Sequence, residues 1–211
     1  VSHVEGGYAE YAIADCAEVV PLPDEVDFPR ATAVPIQGQT AYLLLTEAAR
    51  LRQGESVLVH AAAGGVGTLA LQLARLMGAG MVIGTARAPE ELDLIRSLGA
   101  DLAVNIQEED WVGQVQGATR GRGVDIVLES IGGSVGQGSL ACLAPFGRMV
   151  VFGAVSTQMT PLVSQQLIRG CHSVIGFNTP LQPVQKKVAA SKELLQYIAD
   201  GRLQTLVGCQ Q

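Results

Sequence analysis

Residues 56–67 read SVLVHAAAGGVG, and this run decides the fold. A short apolar stretch of strand type ends at a cluster of small residues, and VGTLALQLARLMG then follows with apolar positions at helical spacing. Strand, glycine turn and helix therefore follow one another without a gap. At Gly64 the missing side chain lets the backbone approach an anion where a Cβ would collide, and Gly67 permits close packing of helix on strand. The unpaired N–H groups of the first helical turn, at the positive end of the helix dipole, point to the same place. The pattern is A-x-G-x-x-G, with Ala62 in the place of the first glycine. A P-loop is excluded, since GGVGT lacks a lysine at the required spacing. The expected ligand is a dinucleotide, its pyrophosphate held over Ala63, Gly64, Gly65, Val66 and Gly67.

Downstream the alternation continues. MVIGTA (81–86), LAVNI (102–106), GVDIVLESI (123–131) and GRMVVFGAV (147–155) read as strands. Between them PEELDLIRSLGA, EDWVGQVQGAT and GQGSLACL read as helices. Unbroken Val, Ile and Leu runs alternating with helices of about ten residues predict a parallel sheet of about six strands covered on both faces. The fold class is α/β, a doubly wound Rossmann domain. HSVIGF (172–177) has no later strand to pair with and should form a sheet edge. KKVAASKELLQYIADG (186–201) reads as a closing amphipathic helix, with Val188, Leu195 and Ile198 on one face and Gly201 as its stop.

Ahead of the turn, GGYAEYAIADCAEVVPLP (6–23) reads as short strands halted by Pro21 and Pro23. ATAVPIQGQTAYLLLTEAARL (31–51) reads as helix broken near Pro35 and Gly38. The expected organisation is residues 1–28 as the end of a separate β domain, 29–180 as the nucleotide-binding domain and 181–211 as a closing helical segment.

In such a fold the second strand delivers, about 20 residues after the glycines, the residue that reads the adenosine ribose. Here Ala86 and Arg87 stand in that region, with no carboxylate for the ribose hydroxyls. An arginine suits a 2′-phosphate, by bidentate contact or by stacking on adenine. NADPH is expected over NADH; in the competing reading Arg87 is a solvated arginine neutralised by Glu90 and Glu91.

Composition narrows the field further. Net charge is −6, the only lysines are Lys186, Lys187 and Lys192, and the arginines are scattered singly, so no basic stripe follows a phosphate backbone and nucleic acid is not an expected partner. Apolar runs fall short of the roughly 20 residues of a membrane span, and the start carries no signal segment, so a cytoplasmic protein without membrane contact is expected. Cys16, Cys142, Cys171 and Cys209 form no C-x-x-C pair and read as buried free thiols. Cys171 and His172, adjacent on an extended segment, face opposite ways and make no metal site. GGSVG (132–136) satisfies the hydrolase elbow G-x-S-x-G around Ser134, but no Asp or Glu separates Ser134 from His172, so Gly132 and Gly133 read as a loop.

HAAAGGVG, LGADLAVN, VDIVLESIGG, FGRMVVFG and SVIGF together resemble the medium-chain dehydrogenase/reductase superfamily, most closely its zinc-free quinone oxidoreductase (zeta-crystallin-like) branch. The resemblance covers nearly the whole chain, and it implies a GroES-like catalytic domain of which residues 1–28 are the end, the chain being truncated at both ends. It implies NADPH-dependent hydride transfer to a quinone or an α,β-unsaturated carbonyl. By the same resemblance Thr40 contacts the nicotinamide end, Thr85 and Arg87 meet the 2′-phosphate, and Asn105 and Ser130 face the adenine side. Phe152, Gly153 and Phe177 wall the nicotinamide. Ile36 stands where zinc alcohol dehydrogenases place a cysteine ligand, so no zinc is expected. Glu91 and Ile106 depart from the lysine and tyrosine that quinone reductases often carry. A homodimer joined through edge residues 173–177 is also implied. No catalytic residue is nominated, Tyr8 and Tyr11 reading as strand packing. An enoyl reductase domain of a polyketide synthase, and a nucleotide-binding or crystallin-like module without catalysis, are the alternative readings.

Overall fold

A computed structural model describes residues 10–207. Six parallel strands form one sheet in the order β3-β2-β1-β4-β5-β6. They are β1 (Ser56–Val59), β2 (Met81–Ala86), β3 (Leu102–Asn105), β4 (Val124–Glu129), β5 (Leu143–Val151) and β6 (Ser173–Gly176). Every strand pair is parallel, so each connection returns over a face of the sheet and covers it. The doubly wound class expected from the sequence is the class observed.

Among the described residues eight α-helices accompany the sheet: α1 (Phe28–Ala31), α2 (Gln39–Leu43), α3 (Gly65–Leu76), α4 (Pro89–Ser97), α5 (Trp111–Ala118), α6 (Gly133–Ala141), α7 (Ser164–Gly170) and α8 (Val184–Ala199). Alternate strand residues feed two cores. Val57, Val59, Ile126 and Leu128 pack with Leu69, Leu73, Leu44 and Leu194 on one face. Leu58, Ile83, Val127 and Met149 pack with Trp111, Val115 and Leu140 on the other. Burial on both faces explains why these strands carry no polar alternation. α8 closes the first face with Leu194, Leu195 and Ile198, and Gly201 follows it at φ 69°, a conformation that glycine adopts without strain.

Four expectations need correction. The helical stretch before β1 is not broken at Pro35 and Gly38. It widens instead into i→i+5 turns at Val34–Gly38 and Leu44–Ala48, with Gly38 N–H donating to Ala33 C=O at 2.9 Å, and so absorbs the proline without a stop. Gly38 sits in a tight place: a Cβ there would lie 3.1 Å from both Ala33 O and Leu194 Cδ1, so a neighbour would have to shift by a few tenths of an ångström. From Glu10 to Pro23 no strand forms, because no sheet edge among the described residues receives it, and the segment holds only a short turn at Cys16–Glu18. The rest of that expected strand region, with Tyr8, lies outside the described residues. Of the thiols only Cys142 is buried, its pKa pushed up to about 12 by burial, while Cys16 and Cys171 are exposed and Cys209 lies outside the described residues. Cys171 caps α7 at φ 51° and is not extended.

Ion pairs fasten the amino ends of the strands. Arg148 on β5 grips Glu55 at 2.6 and 3.0 Å and also donates to the carbonyls of Ala49 and Arg50, tying the incoming helical segment to the sheet. Asp125 accepts from Ser56 N–H and Oγ, both at 2.8 Å, which locks β4 to β1. Among the described residues no helix is long and apolar enough to cross a membrane.

Candidate functional site

The chain leaves β1 toward β2 on one side and reaches β4 on the other, so the carboxyl ends of β1 and β4 flank the topological switch point, where open α/β sheets bind ligands. Ala61 makes the turn there at φ 47°, one residue before the position the sequence motif assigns to it. Ala62 is fully buried instead, its N–H donating to Thr85 C=O at 2.9 Å. α3 begins at Gly65, with Gly64 as its extended N-cap. A Cβ on Gly67 would lie 2.3 Å from Ala61 O and 2.6 Å from Ala62 Cα, so only glycine brings the helix this close to the strand.

Two cavities of about 420 Å³ each adjoin over this turn, sharing Ala61, Gly64 and Val155. Thr40, Val66, Gly67, Ser130, Phe152, Gly153 and Phe177 line the first. Ala63, Thr85, Arg87, Glu91, Ile106 and Gln107 line the second. The two lobes with a glycine N-terminus between them match a dinucleotide in outline: one ring pocket on each side and the diphosphate at the middle. Gly65 faces a smaller cavity of about 270 Å³ beside Gln37 and Thr68.

Not every expected residue falls where it was placed. Ser130 lines the lobe with Phe152 and Phe177, not the adenosine lobe, because β4 lies on the far side of β1 from β2. Asn105 lines neither cavity; its Oδ1 accepts from Gln107 N–H at 3.0 Å, and this turn presents Ile106 and Gln107 in its stead. Thr85 borders the adenosine lobe but is fully buried, and its hydroxyl bonds to His60 Nδ1 at 2.9 Å. It is not a free phosphate donor.

His60 escaped the sequence reading. It is buried at the end of β1, its Nε2 lies 2.7 Å from Ser139 Oγ, and Ser139 in turn donates to Val135 C=O at 2.7 Å. Since the serine proton is committed, Nε2 carries the imidazole proton and Nδ1 accepts from Thr85. Burial pushes the pKa of His60 down to about 3, so the ring is neutral, and it stacks edge-on to Trp111 at 5.5 Å between centroids. A relay of this kind ties β1, β2 and α6 together beneath the turn. Glu129, buried at the end of β4, accepts from the N–H groups of Ile131 at 2.6 Å and Gly132 at 2.8 Å, shaping the loop into α6.

Thr40, nearly buried, pairs with Thr179 at 2.7 Å between hydroxyls, which joins α2 to the turn after β6 at the wall of the first lobe. Thr179 had no sequence signal, since its relevance comes only from where β6 ends. Ile36, 59 % exposed, lines the same lobe with a hydrocarbon side chain. Among the described residues no three His, Cys, Asp or Glu side chains converge as a metal site.

This fold and cleft define a doubly wound α/β domain with a two-lobed cleft at the switch point of its sheet. A family model described as zinc-binding dehydrogenase matches residues 65–195. A quinone oxidoreductase of Pseudomonas aeruginosa is 39% identical over 155 residues, 74% of this chain and 47% of that protein. Highly-reducing polyketide synthase 1 of Aureobasidium melanogenum is 38% identical over 151 residues, 71% of this chain and 7% of that protein. The crystal structure of Escherichia coli quinone oxidoreductase complexed with NADPH superposes with a TM-score of 0.82 at 33% identity, covering 90% of this chain and 59% of that one. The chain belongs to the zinc-binding dehydrogenase family, in the quinone oxidoreductase branch of the medium-chain dehydrogenases. It spans about half the length of the Pseudomonas relative.

Proposed function

We propose that the chain is the cofactor-binding core of an NADPH-dependent oxidoreductase that delivers hydride to a quinone or an α,β-unsaturated carbonyl without zinc. The observation that carries this reading is the pair of lobes meeting at Gly64. The residues present fit the cofactor: Gly64 leaves the space a diphosphate needs, Gly67 lets α3 start close against the strand end, the first turn of α3 offers N–H donors, and Arg87 offers a guanidinium at the adenosine end. When bound, NADPH supplies the hydride. Phe152 and Phe177 give the nicotinamide lobe an apolar wall that excludes water, and the Thr40–Thr179 pair gives it a polar anchor. Ile36 offers no lone pair to a metal, which supports zinc-independent chemistry.

The polyketide relative favours a second reading, reduction of an enoyl thioester, which uses the same cofactor cleft. Turnover of the whole protein with NADPH separates them, the core alone being expected to bind NADPH but to turn over either substrate poorly. Reduction of a small quinone, with no reduction of a crotonyl thioester, is the outcome expected; the reverse assigns the enoyl reductase role. Metal analysis after purification with chelator should find no stoichiometric zinc. NADH serves less well than NADPH in this reading. β6 lies at the edge of the sheet with its outer side unpaired within the described chain, which supports a homodimer through residues 173–177. Sedimentation at tens of micromolar, the order expected for a weak interface, should give a dimer; a monomer contradicts it.

A further inference from the structure

Glu91, in the first turn of α4, has its carboxylate on the wall of the adenosine lobe. Its Oε2 accepts from the backbone N–H of Arg87 at 2.9 Å and of Ala88 at 3.1 Å. These two bonds, with that of Arg87 first, hold the carboxyl below its ordinary pKa, so it is an anion at neutral pH. Among the described residues the only charged side chains lining this lobe are Arg87 and Glu91, and the Thr85 hydroxyl is taken by His60. Beside the uncharged donors Gln107 and Ser156, the groups that can receive an anion are the Arg87 guanidinium and the N–H pair of Arg87 and Ala88, and Glu91 already holds that pair.

We propose that Glu91 is an internal stand-in for the 2′-phosphate and thereby sets how strongly the cleft prefers NADPH over NADH, an inference that rests on the reading of the cleft as an NADPH site. An incoming 2′-phosphate meets a fixed negative charge and competes with it for the same two donors. A 2′-hydroxyl is neutral and meets no such repulsion; it can donate to Glu91 Oε1, which carries no hydrogen bond in the structure. Arg87 thus favours the phosphorylated cofactor and Glu91 opposes it from the same lobe. The result is a site of narrowed selectivity.

The test is the pair of dissociation constants for NADPH and NADH, measured on the full chain by nucleotide fluorescence at low and high salt. Glu91→Gln keeps an oxygen acceptor for both N–H groups and removes the charge. It should tighten NADPH roughly three- to tenfold and leave NADH within about twofold, with the difference shrinking at high salt, as for a partly exposed charge pair. Glu91→Ala, which frees the N–H pair, should tighten NADPH at least as much. If Glu91 only caps α4, both variants lower the melting temperature and leave the ratio of the two constants unchanged, which overturns the proposal. Should wild-type chain bind neither cofactor, the NADPH reading itself fails, a result distinct from an unchanged ratio.

Discussion

The Thr85 hydroxyl donates to His60 Nδ1 across 2.9 Å, joining the ends of β2 and β1 directly under the turn at Ala61. Both residues are buried, so the bond has no water to replace it. Thr85→Val removes the hydroxyl at nearly constant volume and strands Nδ1. Stability should fall by about 1–3 kcal/mol, the cost of an unsatisfied buried acceptor. The NADPH to NADH preference should stay unchanged, because the buried Thr85 hydroxyl is taken by His60. Urea unfolding and cofactor titration on the same variant check both halves; altered cofactor preference at unchanged stability contradicts this role.

His60 also predicts how stability follows pH. Burial lowers its folded pKa to about 3 from the ordinary 6.5, so between those values the unfolded chain binds a proton that the native chain does not. Its contribution is complete above pH 6.5 and declines as pH falls from there toward 3. His172, lowered by burial as well, acts with the same sign. Asp125 extends the decline at the acid end: burial raises its pKa, but hydrogen bonds from Arg122 and Ser56 outweigh this and hold it at about 2, so its contribution is lost as pH drops from 3.8 toward 2. Urea midpoints should fall from neutral pH to pH ~5. A flat profile over that interval would show a charged, solvated His60.

Two of the three glycines of the turn, Gly64 and Gly67, separate folding from binding. Gly67→Ala drives a Cβ into the backbone of Ala61 and Ala62 at 2.3 and 2.6 Å, and neither atom can move without opening the strand. Loss of more than about 3 kcal/mol of stability is expected, as for a steric clash in a packed core. Gly64→Ala meets only Ala61 O at 3.2 Å and should fold, but its methyl occupies the floor of the cleft. NADPH affinity should drop about tenfold or more, about 1.4 kcal/mol. Melting curves and fluorescence titrations give the comparison, and equal stability of the two variants contradicts it.

Arg87→Ala should weaken NADPH by about 1–3 kcal/mol, the range of a charge-assisted hydrogen bond, and change NADH little. Isothermal titration measures both, and equal loss for the two cofactors refutes the phosphate-reading role.

The glycine turn, the strand sequence and the edge position of β6 were legible in the sequence because each is local: apolar runs, spacing and a missing Cβ. The residues that failed share a different cause. Thr85 and Asn105 sit where a ligand residue belongs, yet each spends its polar group on a partner, His60 in one case and the Gln107 backbone in the other. Such bonds depend on side-chain direction at a strand end, which residue type does not encode. Ser130 went to the wrong lobe because its side of the cleft follows from sheet order rather than from its own neighbourhood. His60 and Thr179 matter through partners 79 and 139 residues away, Ser139 and Thr40, and distant pairings of that kind leave no pattern in the chain.

The central claim is that Gly64 to Gly67 hold the diphosphate of a dinucleotide stretched across both lobes. A crystal structure of the chain grown with NADPH tests it most directly. The account predicts diphosphate oxygens within hydrogen-bond distance of the N–H groups of Gly65 and Val66, nicotinamide beside Phe152 and Phe177, and adenosine beside Arg87 and Gln107. Cofactor density elsewhere on the molecule, or its absence at saturating NADPH, would contradict it.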